Sequence, residues 1–195
     1  MYCNTVHDWK TYRSKYSHEA LFKLNEKADA GETLYIDTRW VVLYSTNEEK
    51  IPEARVQDCL RMLNAVYSGK NADDLAKVPQ DLPTPWAAVL GNPNIQFLPL
   101  DPSALKVEYR KISGHLDGSS PVSDGAAQGD RVNGVLNIYI GSTGPSSILG
   151  QAEISSNIVY ALYSTVGGAT VPGTLERYDL GKTVVHEVGH ALGLV

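Results

Sequence analysis

Alternating hydrophobic and polar positions predict a long strand in residues 33–45, TLYIDTRWVVLYS. Ile36 and Val42 share one parity in this stretch, while Asp37 lies on the other. A period of two is typical of a strand with one buried face. Residues 40–44 are apolar on both parities, so we expect this part of the strand to be covered on both faces.

A period of three and four residues predicts an amphipathic helix over residues 52–68. Pro52 suits the first turn of a helix, and Glu53 suits its positive end. Gly69 follows and is expected to close the helix. The apolar stripe of this helix consists of Val56, Cys59, Leu60, Leu63 and Val66 or Tyr67.

Shorter apolar runs predict the remaining elements, which are separated by segments rich in Gly, Pro and Ser. The further strands are expected at residues 95–98, 105–112, 135–140, 148–153 and 158–163. The further helices are expected at residues 18–29 and 180–194, and the main loops at 71–93 and 113–130. Strands interspersed with two main helices predict a mixed α/β sandwich with a sheet on one side.

The composition narrows the class of protein without deciding its function. The chain has 195 residues, of which 43% are hydrophobic, and this is typical of one globular domain with a real core. The net charge is −5 and no basic patch is present, so we expect no nucleic-acid partner. The longest apolar run, residues 158–163, is too short to span a membrane, and the first twenty residues lack the apolar core of a secretory signal.

Residues 186–190, HEVGH, carry recognisable chemistry. Residues four apart on a helix lie one above the other, so the imidazoles of His186 and His190 can bind one metal ion. Zinc accepts imidazole nitrogen, and a catalytic zinc site has three protein ligands. Glu187 would lie beside the ion, where it can take a proton from zinc-bound water and pass it to a leaving amine. This spacing predicts peptide hydrolysis by the His-Glu-x-x-His mechanism.

Residues 186–195 do not identify the third zinc ligand. In the longer pattern His-Glu-x-x-His-x-x-Gly-x-x-His the glycine corresponds to Gly193, and the last His would fall at position 196, one residue after Val195. Gly193 can adopt a left-handed conformation that turns the chain sharply. We expect the chain to be a fragment, while a truncated reading frame and a ligand from elsewhere in the chain stay open.

Residues 186–195, HEVGHALGLV, resemble the metzincin clan of zinc peptidases, and within that clan the chain is most similar to the pappalysin family (pregnancy-associated plasma protein-A type). The resemblance covers about residues 38–195. Three blocks carry it: TRWVVLYSTNEEKIPEARVQDCLRMLNAVY, the pair LNIYI and ILGQAEI, and IVYALYSTVGG followed by YDLGKTVVHEVGHALGL.

This resemblance implies an α/β (α+β) fold, the zincin or metzincin-like upper subdomain. It implies a twisted, mixed, mostly parallel sheet with a backing helix at 56–67 and an active-site helix. Residues 34–195 would form the upper subdomain of the catalytic domain, and residues 1–33 an N-terminal extension. The lower subdomain and its Met-containing turn have no counterpart in this chain.

The resemblance also implies a function, that of a zinc-dependent metalloendopeptidase acting on a peptide or protein substrate. His186 and His190 would be zinc ligands and Glu187 the general base. Residues 148–153 would be an edge strand at which the substrate main chain pairs by strand addition. Secretion is expected from the family.

Other readings stay open beside this one. The chain could be a catalytically incomplete metzincin-like fragment that acts as a peptide-binding or weak metal-binding module. A gluzincin, with a Glu as third ligand, shares the short motif but has no need of Gly193.

Six further residues raise alternatives of their own. Asp117, Asp124 and Asp130 could bind Ca²⁺ or lie in a plain solvated loop. Cys3 could block zinc as a thiolate, and His115 could be a stray ligand or simply solvated. Cys59 lies on the apolar stripe and is expected to be a small buried residue; with Cys3 it could form one disulfide, or both could be free thiols.

Overall fold

The computed structural model describes residues 2–3, 33–71, 93–101, 103–145 and 148–194. Its strands are β1 (Tyr2–Cys3), β2 (Leu34–Tyr44), β3 (Ile95–Pro99), β4 (Val107–Lys111), β5 (Leu136–Gly141), β6 (Ile148–Ala152) and β7 (Ile158–Leu162). Its α-helices are α1 (Glu53–Tyr67), α2 (Pro121–Gly129) and α3 (Lys182–Ala191), and a 3-10 turn spans Tyr163–Thr165. The predicted helix at 18–29 and nearly all of the predicted loop at 71–93 lie outside the described residues.

The strands form one sheet in the order β1-β6-β7-β5-β2-β3, with β4 also paired to β2. The pairing of β6 with β7 is antiparallel, and the other pairs are parallel. This mixed, mostly parallel sheet with packed helices confirms the α/β fold class predicted from the sequence.

Strand β2 is long enough to pair with three neighbouring strands. Residues 34–38 pair with β3 and residues 40–44 pair with β4, while residues 38–42 pair with β5. Since a strand rises about 3.3 Å per residue, the eleven residues of β2 span two successive five-residue partners along one edge.

Helices cover the sheet on both faces. Trp40 and Val42 lie in a large core with residues of α1 and α3, whereas Val41 and Leu43 lie in a smaller core with Val122 of α2. The burial of β2 on both parities is therefore confirmed. No helix in the described ranges is both long enough and apolar enough to cross a lipid bilayer.

The prediction of a plain loop over residues 113–130 was wrong, because residues 121–129 form α2. Its sequence, PVSDGAAQG, contains two glycines that pack closely against the side chain of Tyr139, where a larger residue would collide with it. A β-carbon at Gly125 would lie 3.0 Å from Cβ of Tyr139, and one at Gly129 would lie 2.7 Å from Cδ1 of the same residue. Glycine is a poor helix former, so local propensity conceals a helix that tertiary packing selects.

The strand expected to line a cleft at residues 148–153 is observed as β6, but it is not the outermost strand. Residues Tyr2 and Cys3 pair with it in parallel, Tyr2 opposite Ile148 and Cys3 opposite Gly150. A pairing between segments so distant in sequence leaves no local pattern, and sequence periodicity therefore missed it.

Candidate metal centre

His186 and His190 lie one turn apart on α3 and bring their rings together. Their Nε2 atoms are 3.0 Å apart, and their ring planes meet at 88° with centroids 4.6 Å apart. The side chain of His186 is exposed, whereas His190 is only 8% exposed. The helical spacing noted in the sequence thus places two imidazole nitrogens within reach of one ion.

The turn after α3 determines which nitrogen of His190 is available. Gly193 has a φ of 101°, the left-handed conformation anticipated from the sequence. This turn brings the carbonyl oxygen of Leu194 to 2.8 Å from Nδ1 of His190. Because a carbonyl can only accept, Nδ1 carries the proton and Nε2 keeps its lone pair.

The two imidazoles fit a zinc ion. Zinc–nitrogen bonds are about 2.0–2.1 Å long, so two Nε2 atoms 3.0 Å apart can both reach one ion. Partial burial lowers the pKa of His186 and the neighbouring His190 lowers it further, which favours the neutral, metal-binding form. Among the residues that the structure describes, no group of three or more His, Cys, Asp or Glu side chains could hold a metal ion.

Glu187 lies on α3 between these histidines, with its side chain turned into the protein. It is 1% exposed, and its carboxylate lies against the backbone of Gly150 in β6. The three motif residues therefore differ in environment, since the histidines border solvent to different degrees and the glutamate is buried beside them.

Two hydrogen bonds hold α3 in place against its neighbours. The hydroxyl of Tyr67, on α1, donates to the carbonyl oxygen of Val185 at 3.1 Å. The backbone N–H of Ser155, in the turn between β6 and β7, donates to the carbonyl oxygen of His190 at 3.1 Å. The first bond joins α3 to α1, and the second joins α3 to the β6–β7 turn. The position of the histidines therefore depends on how α3 packs against both neighbours.

Buried charged side chains of α1 hold the segment that leads to α3. Arg55 donates to the carbonyl oxygens of Val166 and Tyr163 at 2.9 and 2.8 Å. Asp58 accepts the backbone N–H groups of Thr170 and Val171 at 2.8 and 2.7 Å. Backbone groups that a loop leaves unpaired are satisfied in this way by side chains.

Two cavities border the motif, and His186 lies between them. One of about 270 Å³ is lined by Leu149, Arg177, Tyr178, Leu180, Lys182, Thr183, His186 and Glu187. Another of about 420 Å³ is lined by Val66, Tyr67, Pro93, Val185, His186, Gly189, His190 and Leu194. Because His186 lines both, a ligand in either cavity would lie close to the paired imidazoles.

The other residues singled out in the sequence lie away from this site or in different surroundings. Cys59 is fully buried in the large core, and burial raises the pKa of its thiol to about 12. His115 is 46% exposed, with Nδ1 3.5 Å from Oε1 of Glu49. The backbone of Cys3 pairs with β6 opposite Gly150, and its proposed action on zinc stays a prediction.

The three aspartates considered for calcium have separate partners. Asp117 accepts the N–H and hydroxyl of Ser119, and Asp124 accepts the N–H of Asp117. Asp130 forms an ion pair with Arg110 at 2.6 Å. These contacts are local turn and ion-pair geometry, and calcium binding stays a prediction.

Sequence reasoning missed the residues that position the motif from outside α3. Arg55 and Asp58 border the apolar stripe of α1, and charged residues at that boundary were the available signal. Gly150 carried a weaker signal, since a glycine inside a predicted strand often marks a close approach of another group.

Comparison with known proteins relates the chain to metalloproteases. No model of a known protein family matches it. It is 44% identical over 64 residues to an extracellular metalloprotease of Pyricularia oryzae, a match that covers 30% of this chain and 23% of that protein.

Solved structures of mirolysin from Tannerella forsythia share the fold. Mature mirolysin in complex with a cleaved peptide superposes with a TM-score of 0.68 at 25% identity, covering 83% of this chain and 63% of that one. A promirolysin mutant, E225A, superposes with a TM-score of 0.65 at 20% identity, covering 96% of this chain and 68% of that one. The chain thus spans about a quarter of the curated relative and less than two thirds of mature mirolysin. Both comparisons relate this chain to metalloproteases, and its fold is that of the mirolysin structures.

Proposed function

We propose that the chain is the upper part of the catalytic domain of a zinc-dependent metalloendopeptidase of the pappalysin type. The observation that carries the proposal is the convergence of the Nε2 atoms of His186 and His190, 3.0 Å apart, beside the buried Glu187. The similarity to a protein named extracellular metalloprotease, and to mirolysin solved with a cleaved peptide, supports a peptide or protein substrate. The first of these names also supports secretion.

Each motif residue has one task in this chemistry. His186 and His190 would hold zinc through Nε2, and the Leu194 carbonyl keeps His190 in the tautomer that this requires. Zinc, when bound there, would supply Lewis acidity for the attack of water on the scissile carbonyl. Glu187 accepts the proton of that water and delivers it to the leaving amine. Because Glu187 is only 1% exposed, bulk water does not compete for its carboxylate.

The substrate main chain is proposed to pair with β6, next to Glu187. Tyr2 and Cys3 pair with the same strand in this structure. A peptide therefore binds along that part of β6 only after this two-residue pairing has separated.

Zinc binding tests the metal centre directly. The pattern to which the motif belongs has its last His at position 196, so we compare the 195-residue chain with a version extended by its own coding sequence. We expect one tightly bound zinc per extended chain, measured by elemental analysis and chelator competition, and its loss in His186→Ala and His190→Ala. His115→Ala, which removes a histidine outside α3 that lies beside Glu49, is the matched control and is expected to retain zinc.

Each other outcome contradicts part of the proposal. Tight zinc in both forms would overturn the assignment of the third ligand to position 196. Absence of tight zinc from both would overturn the enzyme and leave a peptide-binding or weak metal-binding module.

Glu187→Gln in the extended chain tests the general base. We expect kcat on a protein substrate such as casein to fall by about 10²–10⁴-fold with zinc retained, because general-base catalysis contributes about that much. Glu53→Gln, at an exposed position of α1, is the matched control and keeps full activity. Unchanged kcat in Glu187→Gln would contradict this mechanism.

A further inference from the structure

Gly150 lies in the middle of β6, where glycine is a poor choice for a strand. Glycine inside a strand weakens it, because it loses more conformational freedom than other residues and has no side chain to pack. The backbone of Gly150 is not among the positive-φ glycines, so its conformation is open to any residue. The need for glycine at this position is therefore one of space.

The space that a side chain would take is filled by Glu187. A β-carbon added at Gly150 would lie 2.6 Å from Cγ and 2.6 Å from Oε1 of Glu187, and 2.9 Å from its Cδ. Carbon atoms in contact normally stay about 3.5–4.0 Å apart. Because Glu187 also lines the cavity of about 270 Å³, an added β-carbon is expected to push the end of this side chain toward that cavity and away from its present position.

We infer that Gly150 is a positioning residue, which places the carboxylate of Glu187 by leaving room for its stem against β6. This inference rests on the proposed function only where it assigns a catalytic consequence to that placement. The contact itself belongs to the folded chain and can be tested without metal or substrate.

The first test is a double-mutant cycle on the stability of the 195-residue chain without metal. Gly150→Ala is expected to lower the urea midpoint in the wild-type background. In the Glu187→Ala background, where Cγ is gone, the same change is expected to leave the midpoint unchanged or raise it. Glu187→Gln keeps the shape of the side chain, so Gly150→Ala is expected to lower the midpoint there as in the wild type.

Gly141→Ala is the matched control for general strain in the sheet. A β-carbon there would lie 2.9 Å from Leu116 and does not meet Glu187. Its effect is expected to be the same in both backgrounds, since distant and independent sites are additive. If Gly150→Ala is equally additive, the contact does not exist in solution and the inference is overturned.

The second test measures placement in the extended, zinc-loaded chain. Gly150→Ala is expected to lower kcat by about 10- to 100-fold with little change in KM or zinc content, because displacement by about 1 Å is costly for a catalytic group. In the Glu187→Ala background, which has no Cγ for the added β-carbon to meet, the same change is expected to alter the residual kcat less than twofold. A merely structural defect would lower kcat equally in both backgrounds.

The two tests separate the inference from the proposed function. If the effects of Gly150→Ala and Glu187→Ala on the urea midpoint are not additive but kcat is unchanged in Gly150→Ala, the positioning role is overturned. Coupled stabilities in a chain that shows neither zinc binding nor peptidase activity would overturn the proposed function and leave the packing relation standing.

Discussion

The carbonyl oxygen of Leu194 lies 2.8 Å from Nδ1 of His190, and this contact determines which nitrogen of the ring faces His186. It exists because the chain reverses at Gly193, whose amide also donates to the carbonyl oxygen of His190 at 2.9 Å. A glycine outside α3 therefore sets the tautomer of His190, a proposed metal ligand inside that helix.

Gly193→Ala is expected to weaken zinc binding by about 10-fold, since loss of a hydrogen-bond partner to a ligating histidine typically reduces metal affinity by 10- to 100-fold. A φ of 101° is unfavourable for alanine, so the turn that delivers Leu194 relaxes. Zinc competition in the extended chain measures the effect.

Gly114→Ala is the matched control for Gly193→Ala, with a φ of 90° and, within the described ranges, no atom closer than 4 Å to an added β-carbon. It carries a similar backbone strain far from α3 and should leave zinc affinity unchanged. Equal zinc affinities for the two variants would contradict the role given to the turn.

Asp58→Asn is expected to lower stability by about 1–3 kcal/mol at pH 7, because a buried acceptor of several N–H groups becomes partly a donor. Burial raises the pKa of Asp58, but the N–H groups of Val171 and Thr170 and the Arg61 guanidinium lower it more, so its net pKa lies below the ordinary value. A lowered pKa gives stability that is present above the unfolded value of about 3.9 and lost as the pH falls through the folded value.

Urea unfolding between pH 2 and 7 measures this pH dependence. The wild type is expected to lose more stability than Asp58→Asn as the pH falls below about 4. Asp37→Asn, at an exposed position of β2, serves as control and should follow the wild type. Parallel curves for the wild type and Asp58→Asn would rule out this contribution.

Cys59 is expected to resist alkylation in the folded chain. Burial raises the pKa of its thiol to about 12, and only the thiolate reacts readily. In a Cys3→Ser background at pH 8, iodoacetamide should modify Cys59 no faster than the protein unfolds, as followed by mass spectrometry. Rapid modification of the folded protein would show that this part of the core is open to solvent.

Tyr67→Phe and Tyr139→Phe each remove one buried hydroxyl, and the two hydroxyls differ in hydrogen bonding. The hydroxyl of Tyr67 donates to Val185, whereas the buried hydroxyl of Tyr139 has no hydrogen-bond partner among the residues that the structure describes. Tyr67→Phe is expected to lose about 0.5–1.5 kcal/mol of unfolding free energy, and Tyr139→Phe to be neutral or slightly stabilising. Urea midpoints measure both, and a greater loss in Tyr139→Phe would contradict the hydrogen-bond assignment.

Local patterns were enough to predict much of the fold and the central residues of the candidate site. The apolar stripe of α1, the two-sided burial of β2 and the helical spacing of His186 and His190 all follow from periodicity over a few residues. The left-handed turn at Gly193 was likewise readable, because a positive φ is a property of single residues.

Features formed by distant segments were not readable in the same way. The glycines of α2 pack against the ring of Tyr139, and the pairing of β1 with β6 brings Tyr2 opposite Ile148, far away in the sequence. The bonds from Asp58 reach residues more than one hundred positions away. Such contacts impose no period on either partner.

The sequence by itself was enough to propose which residues would carry the metalloprotease chemistry, since a helix places positions four apart on one face whatever surrounds it. Only the tertiary structure decided how those residues are held. The packing of β6 on α3 buries Glu187 against Gly150, and α1 anchors both α3 and the segment before it. The physical reason is that spacing within one helix is set by the local backbone, whereas burial and orientation depend on contacts between segments that meet only when the chain folds.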